Sequence, residues 1–402
     1  MFKEITGGIT APKGFKAAGV KAGIKKSGKE DVAVIYSMVP ASAAALFTTN
    51  AMAAAPVVVS RQAAAKGTAR AVVVNSGCAN ASTGEQGLLD ARAMVHMTAS
   101  LLGIATDEVL VASTGIIGVN LPMGKVADGI KQAVAELSEK GHDAALQGIM
   151  TTDTFPKVCA HEFALDGVTV RIAGIAKGAG MIHPNMATML AFVTTDAAVA
   201  APVLKQALAE AVNLSFNMIT VDGDTSTNDM IAVIANGEAG NAVIDSTDSE
   251  AYRQFTEALR QTCTYLAQQV VRDGEGATKF LAITVKGAKS FADAKIAAMA
   301  VAKSPLVKTA FFGQDPNWGR IFCAVGYSGA QIEQEKTSLV IGGLTVAAKG
   351  TDAKPDAAAL QKVMVAKDID VVIDLGMGTS QATVWTCDFS YEYVKINADY
   401  ST

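Results

Sequence analysis

Cysteine is scarce in this sequence: five occur in 402 residues, and no two form a C-x-x-C pair. A disulfide framework or a cysteine-ligated zinc site needs closer, repeated spacings. Histidine is scarcer still, with four scattered residues and no H-E-x-x-H pair. We therefore expect reduced thiols packed in the core, no metal and no resident cofactor. The cysteines are Cys78, Cys159, Cys263, Cys323 and Cys387.

The chain also lacks a marked excess of charge of either sign. Lysine and arginine number 34 and aspartate and glutamate 38, which gives a formal net charge of −4 and a pI near 5.7. No stretch concentrates lysine and arginine into the basic patch that nucleic-acid-binding proteins carry. We therefore expect no nucleic-acid partner.

No segment has the composition of a membrane anchor. The first fifteen residues lack the apolar core of a secretory signal. A long uncharged stretch, Val32–Ser60, is interrupted by Pro40 and Pro56 and diluted with serine, threonine and asparagine. A membrane-spanning helix must be strongly apolar, so buried strands joined by a loop are the better interpretation. We expect a cytoplasmic protein without membrane contact.

Strand and helix patterns are mixed along the chain. Runs of β-branched residues predict strands, and apolar residues at three- and four-residue spacing predict helices. The predicted strands are 31–39, 57–60, 71–74, 108–112, 158–164, 168–175, 280–286, 338–347, 371–375, 382–389 and 391–396. The predicted helices are 85–102, 124–137, 201–216, 249–271, 293–302 and 316–325.

This order of elements predicts the fold class. Strands and helices do not alternate as in a doubly wound sheet, so a layered α+β fold is favoured. The best domain boundary lies near residue 280, where the long helix and the turn Asp273–Gly276 give way to a new strand. We predict a catalytic domain over residues 1–280 and a smaller C-terminal α/β domain over residues 281–402.

Several familiar motifs are absent. A phosphate loop of the form G-x-x-x-x-G-K-[ST] does not occur. The run Asp222–Thr227 begins like a calcium loop, but Thr227 stands where that loop needs glycine and Val233 where it needs glutamate. A hydrogen-bonded turn is the interpretation of this run. The run Gly326–Ala330 misses the last glycine of a hydrolase elbow.

One stretch, Lys177–Phe192, joins two unlike halves. Gly178, Gly180 and Pro184 make the first half a loop, and an apolar strand-like run follows from Thr188. Thr188 thus stands at the start of a rigid element with flexible chain before it, as an amino-terminal nucleophile requires.

The chemistry available to Thr188 depends on the peptide bond before it. A threonine hydroxyl is a poor nucleophile unless a base removes its proton. If the Ala187–Thr188 bond is cut, Thr188 gains a free α-amine with an ordinary pKa of about 7.7–8.0. That amine can serve as the base, and His183 is then not needed and is interpreted as structural. The cut itself is an N-to-O acyl shift, which needs donors for the oxyanion.

The sequence closely resembles the ornithine acetyltransferase family, also called the glutamate N-acetyltransferase family, along nearly its whole length. The matching stretches occur in the family's order in both halves of the chain. They are Pro40–Asn50, Asn75–Asn80, Ser113–Gly118, Thr151–Thr154, Lys177–Phe192, Asp222–Asp229, Gly274–Gly276 and Asp315–Arg320.

This resemblance implies an enzyme that moves acetyl from N2-acetyl-L-ornithine to L-glutamate in arginine biosynthesis. It implies an α/β/β/α-type fold of the N-terminal-nucleophile kind, cut into an α chain (1–187) and a β chain (188–402), with two of each per molecule. Some members of the family also accept acetyl-CoA as donor, and no feature of this sequence decides whether this chain does.

The resemblance also implies the site residues. Thr188 would be the self-processing residue and the acetyl carrier, and Thr114 and Gly115 would form the oxyanion hole. The amino-acid site would be lined by Thr154, Lys177, Thr188, Glu275, Asn397 and Thr402, so that the C-terminal tail returns to the active site.

The residues by themselves leave simpler alternatives open. Thr114-Gly115 is also typical of an ordinary strand-ending turn, Lys177 of a lysine that reaches solvent, and Glu275 of a solvated turn. Asn397 and Thr402 lie in a tail of the kind that commonly frays.

Two other functions share part of this pattern. A self-cleaving aminopeptidase or amidohydrolase would use the same threonine, with water replacing glutamate as the acyl acceptor. A non-catalytic amino-acid-binding protein would leave Thr188 inside an uncut chain.

Overall fold

The computed structural model describes residues 2–183 and 189–399. The strands are β1 (Lys3–Glu4), β2 (Phe15–Val20), β3 (Val32–Ser37), β4 (Ser42–Phe47), β5 (Ala71–Cys78), β6 (Val109–Ile116), β7 (Lys157–Leu165), β8 (Val168–Lys177), β9 (Leu190–Thr195), β10 (Ile219–Thr220), β11 (Met230–Ala235), β12 (Phe280–Ala288), β13 (Ser338–Ile341), β14 (Leu344–Ala348), β15 (Thr351–Asp352), β16 (Asp368–Asp374) and β17 (Ser380–Cys387). The α-helices are α1 (Ala55–Ala64), α2 (Gly84–Leu102), α3 (Met123–Ala135), α4 (His142–Ile149), α5 (Ala201–Asn213), α6 (Glu250–Arg272), α7 (Phe291–Lys303), α8 (Pro305–Phe312), α9 (Trp318–Gly326), α10 (Ala357–Val365) and α11 (Tyr391–Asp399).

Two sheets lie face to face in the first part of the chain. One has the strand order β1-β7-β8-β9-β11-β4 and the other the order β2-β3-β5-β6. The buried strand β5 shows how both faces are used: Val72 and Val74 point into the core between the sheets, whereas Ala71 and Val73 pack under the outer helices. Because side chains alternate along a strand, a strand buried on both faces becomes an unbroken apolar run.

Helices cover the outer faces of both sheets. Apolar side chains of α5 and α6 pack on the outer face of the first sheet, and those of α2 and α3 pack on the outer face of the second. The resulting layers are α/β/β/α, so the predicted layered α+β fold is confirmed.

A third sheet follows, with the order β10-β17-β12-β16-β13-β14-β15. It packs against α7, α8, α9 and α10 around a core of its own. Its edge strand β10 comes from residues ahead of 280 and pairs in parallel with β17. The domain boundary at residue 280 stays a prediction.

Two of the predicted strands are wrong, because both segments are helical. Residues 57–60 lie in α1, which begins around Pro56 and turns Val57, Ser60 and Ala63 inward at helical spacing. The Ser60 hydroxyl donates to the Val111 carbonyl of β6 at 2.6 Å. Tertiary packing therefore overrides the β propensity of three consecutive valines.

Residues 391–396 belong to α11, although tyrosine, valine and isoleucine are typical of strands. The ring of Phe389 stacks on that of Tyr393, one helical turn later, at 4.7 Å between centroids. The predicted strand 338–347 is the hairpin of β13 and β14, joined by Gly342-Gly343. The expectation of core cysteines holds except at Cys323, which is exposed.

Over residues 2–183 and 189–399, no helix combines the length and apolarity that crossing a membrane requires.

Candidate active site

A cavity of about 260 Å³ opens where β6, β8 and β9 meet the residues after α6 and the face of α11. Its lining includes Thr114, Gly115, Lys177, Glu275 and Asn397, which the sequence predicted for one site. Met189, the residue after Thr188, also lines it. Ala187, Thr188 and Thr402 lie outside the described residues.

The end of β6 places Thr114 and Gly115 at the cavity. Gly115 pairs with Gly77 of the neighbouring strand β5 and has a φ of 131°. A Cβ added at Gly115 would lie 2.4 Å from the carbonyl carbon of Gly77. Only glycine fits both this φ and this approach of two backbones, and Gly115 in this conformation lines the cavity.

Lys177, the last residue of β8, lies beside Thr114. Its Nζ donates to the Thr114 Oγ1 at 3.3 Å. An ammonium group has no lone pair to offer, so Thr114 accepts this bond, and no group of residues 2–183 or 189–399 accepts its own O–H. Burial lowers the pKa of Lys177, while the carboxyl groups of Asp153, Asp229 and Glu275 act in the opposite direction.

A buried ion network lies beneath Lys177, and sequence reasoning missed it. Lys157 Nζ donates to Asp153 Oδ1 at 2.6 Å and also to Asp273, at the end of α6. Asp153 also accepts the N–H of Gly178 at 2.8 Å. Burial alone would raise the pKa of Asp153, but the cations of Lys177 and Lys157 outweigh it and hold that pKa at about 2. The available signal was Asp153 itself, which stands within the family stretch Thr151–Thr154.

Thr154 belongs to this network and not to the cavity lining. Its hydroxyl donates to Asp273, and its N–H approaches the same carboxylate at 3.0 Å. Asp273 ends α6 two residues before Glu275. Thr154 thus holds the turn that carries Glu275. The predicted contact of Thr154 with substrate stays a prediction.

Glu275 rests on the glycine loop after β8. Its N–H donates to the Ala179 carbonyl at 2.9 Å, and its Oε2 accepts a 3.0 Å bond from the side-chain amide of Asn397. A Cβ at Gly180 would lie 2.4 Å from that same Oε2. Asn397 projects from α11, which places the C-terminal helix at the cavity.

This contact makes Gly180→Ala a test of Glu275. The added methyl group would displace the carboxylate, and we expect the KM for an amino-acid substrate to rise about 10-fold, the equivalent of about 1.4 kcal/mol. Steady-state kinetics measure this change. Gly124→Ala is the matched control, because a Cβ there meets nothing within 4 Å. An unchanged KM in Gly180→Ala would show that the position of Glu275 does not matter for substrate.

Asp229, which the sequence did not single out, is buried beside β9. Met230 pairs with Leu190 in parallel register, so Asp229 stands opposite Met189, and its carboxyl contacts the Met189 N–H. Burial raises the pKa of Asp229 well above its usual range, and hydrogen bonds from Ser226 together with the cation of Lys177 offset this only in part. A carboxyl whose pKa is raised by burial therefore contacts Met189, the residue that follows Thr188 in the sequence.

The arrangement can do acyl chemistry on a small zwitterion. A cation at Lys177 and a carboxylate at Glu275 line the same cavity as the hydroxyl of Thr114. Gly115 and Met189, the residue that follows Thr188 in the sequence, complete that lining. Fixed hydrogen-bond donors at such a cavity can stabilise an oxyanion.

Known proteins resemble this chain along nearly its whole length. The model of the ArgJ family matches residues 16–402. The chain is 52% identical over 400 residues to the arginine biosynthesis bifunctional protein ArgJ of Symbiobacterium thermophilum, covering 99% of both chains. It is 54% identical over 391 residues to the protein of the same name from Geobacter sulfurreducens, covering 97% of this chain and 99% of that one.

Among solved structures, the arginine biosynthesis bifunctional protein of Bacillus halodurans aligns with a TM-score of 0.52 at 41% identity. The alignment covers 53% of this chain and all of that chain. The resemblance drawn from the sequence motifs is therefore confirmed, and this chain belongs to the ArgJ family.

Proposed function

We propose that this cavity transfers acetyl from N2-acetyl-L-ornithine to L-glutamate, with Thr188 as the acetyl carrier after the Ala187–Thr188 bond is cut. The proposal rests on one observation: three side chains that the sequence predicted for the site line a cavity at the start of β9. Thr114, Lys177 and Glu275 line one cavity with Met189, the residue that follows the nucleophile. Family membership makes the chain an enzyme of arginine biosynthesis.

The charges of the cavity fit amino-acid substrates. Both substrates carry an α-carboxylate, which complements the buried Lys177 cation. Acetylornithine carries its free ammonium on the side chain, which complements Glu275. The two protein groups belong to different elements, β8 and the turn after α6. A substrate that bridges them has a fixed direction relative to Thr188.

The transfer would proceed in two steps. The Thr188 oxygen attacks the acetyl carbon while the Thr188 α-amine takes the hydroxyl proton, and the Thr114 hydroxyl and the Gly115 N–H hold the oxyanion. The C–N bond to ornithine then breaks, and the α-amine returns the proton to the leaving ornithine nitrogen. In the second step the glutamate amine attacks the acetyl ester, its proton passes back to the threonine oxygen, and N-acetylglutamate leaves.

The proposed cut would leave two interlocked chains, α (1–187) and β (188–402). The first sheet is shared between them: β8 would belong to the α chain and pairs antiparallel with β9 of the β chain. Because that ladder lies in the core, cleavage would not release either fragment. We also propose the assembly of two α and two β chains and the use of acetyl-CoA as a second donor.

A denaturing gel and a coupled assay test the proposal. We expect the purified protein to run as two fragments, and ornithine release to continue beyond one equivalent per enzyme only when glutamate is present, because the first step alone releases one ornithine. Continued ornithine release without glutamate would identify a hydrolase. A single uncut chain that binds amino acids without turnover would identify a binding protein.

A further inference from the structure

The chain ahead of the proposed cut is held in a strained backbone conformation. Met181 has a φ of 56°, in the left-handed region that favours glycine. A residue with a side chain remains there only when its surroundings compensate for the strain. Met181 lies six residues before Ala187 in the sequence.

The compensating group is the carboxyl of Asp222, which binds two consecutive N–H groups. Its Oδ2 accepts from Met181 at 2.6 Å, and its Oδ1 accepts from Ile182 at 2.8 Å. Oδ1 also accepts the N–H of Asp224 at 3.2 Å. The run Asp222–Thr227, which begins like a calcium loop, is therefore a hydrogen-bonded turn. The carboxyl of its first residue, Asp222, holds the segment that precedes the proposed cut.

Neighbours of Asp222 hold the carbonyl side of the same segment. The Ile182 carbonyl accepts the N–H of Val221 at 2.7 Å and the hydroxyl of Thr220 at 3.1 Å. The hydroxyl of Thr225 donates to the His183 carbonyl at 2.9 Å. Residues 220–225 thus hold the N–H groups of Met181 and Ile182 and the C=O groups of Ile182 and His183.

The hydrogen bonds from Met181 and Ile182 to the Asp222 carboxyl form a clamp on residues 181–183. The C-terminal helix α11 lies beside this clamp. Burial and the nearby carboxyl of Asp222 raise the pKa of the Tyr393 phenol in α11, and Asn397, one turn further along, contacts Glu275. The carboxyl therefore joins the approach segment, its own turn and the tail at one point beside the cavity.

We propose that Asp222 is a positioning residue for self-cleavage, whose carboxyl holds Met181 and Ile182 so that the chain enters the cleavage region in one direction. The proposal rests on the self-cleavage proposed above. An N-to-O acyl shift requires the Thr188 hydroxyl to approach the Ala187 carbonyl carbon. Fixing the chain upstream through Asp222 and downstream through β9 reduces the freedom that this approach must overcome.

This role predicts a particular split between the two activities. Before the cut, residues 181–183 are joined covalently to Thr188, so their position constrains the reacting bond. After the cut they belong to the α chain, and that constraint no longer acts through the backbone. Loss of the clamp should therefore slow cleavage much more than it slows acetyl transfer by processed enzyme.

The test is a time course of cleavage after cell-free synthesis of the full chain, followed on a denaturing gel. Asp222→Asn keeps the size of the side chain but leaves one acceptor oxygen for the N–H groups of Met181 and Ile182. We therefore expect cleavage to slow by about 10- to 100-fold. The kcat of the purified processed fraction should fall by a smaller factor. Asp224→Asn is the matched control: among the described residues its carboxyl makes no hydrogen bond to residues 181–183, and its cleavage should stay close to the wild-type rate.

Rescue separates positioning from a general loss of structure. Adding Met181→Gly to Asp222→Asn removes the strain that the carboxyl offsets, so cleavage should recover in part. Should Asp222→Asn fail to fold, Thr225→Val removes one tie at nearly constant volume and should also slow cleavage.

The positioning role would be overturned if Asp222→Asn cleaved at the wild-type rate or if Met181→Gly gave no rescue. Where Thr225→Val is needed, cleavage of that variant at the wild-type rate would overturn it too. A wild-type chain that never cleaves would instead overturn the proposed function.

Discussion

Thr188→Ala should yield a single uncut chain of 402 residues without acetyl transfer. In the proposed mechanism the hydroxyl is the nucleophile of both the N-to-O shift and the transfer, and the α-amine that would serve as the base exists only after the cut. One substitution therefore removes the nucleophile and prevents the base from forming. A denaturing gel and the ornithine-release assay measure the two losses separately.

Thr188→Ser is the matched control, since it keeps a hydroxyl at the same position and should still be cut. Two fragments from Thr188→Ala would place the cleavage elsewhere and remove Thr188 from its proposed role.

Thr114→Ala should slow both cleavage and transfer by about 10²–10³-fold, the usual cost of one oxyanion donor. The structure gives this expectation a geometric basis. Lys177 donates to Thr114 Oγ1, which leaves the threonine O–H as the group able to donate toward a reacting oxygen. Both reactions pass through an oxyanion, so both rates should fall together.

The measurement compares the cleavage time course with kcat/KM of the processed fraction. Thr114→Ser retains the donor and should stay near the wild-type rate. Wild-type rates in Thr114→Ala would exclude its side chain as a donor, whereas Gly115, which acts through its backbone, would survive that result.

The sequence determined the layered fold class and the family. The apolar run of β5 predicted a buried strand, and the helical spacing within 249–271 predicted the long helix α6, which spans Glu250–Arg272. These features were predictable because they depend on local periodicity. The family resemblance also predicted Lys177 and Glu275 as residues of one site. The structure brings them together from positions almost a hundred residues apart.

Tertiary structure decided what local periodicity does not encode. The valines of α1 became helical because Ser60 and its neighbours pack on β6. The segment of α11 became helical at the cavity edge although it is rich in residues typical of strands. The network of Asp153, Lys157 and Asp273 was not predictable, because two buried acids and a lysine are tolerated only when the fold places them in contact. The same holds for Asp222. Its residue type predicted a turn, but only the approach of Met181 across the fold turned that carboxyl into a clamp, since a hydrogen bond depends on distance and direction and not on sequence separation.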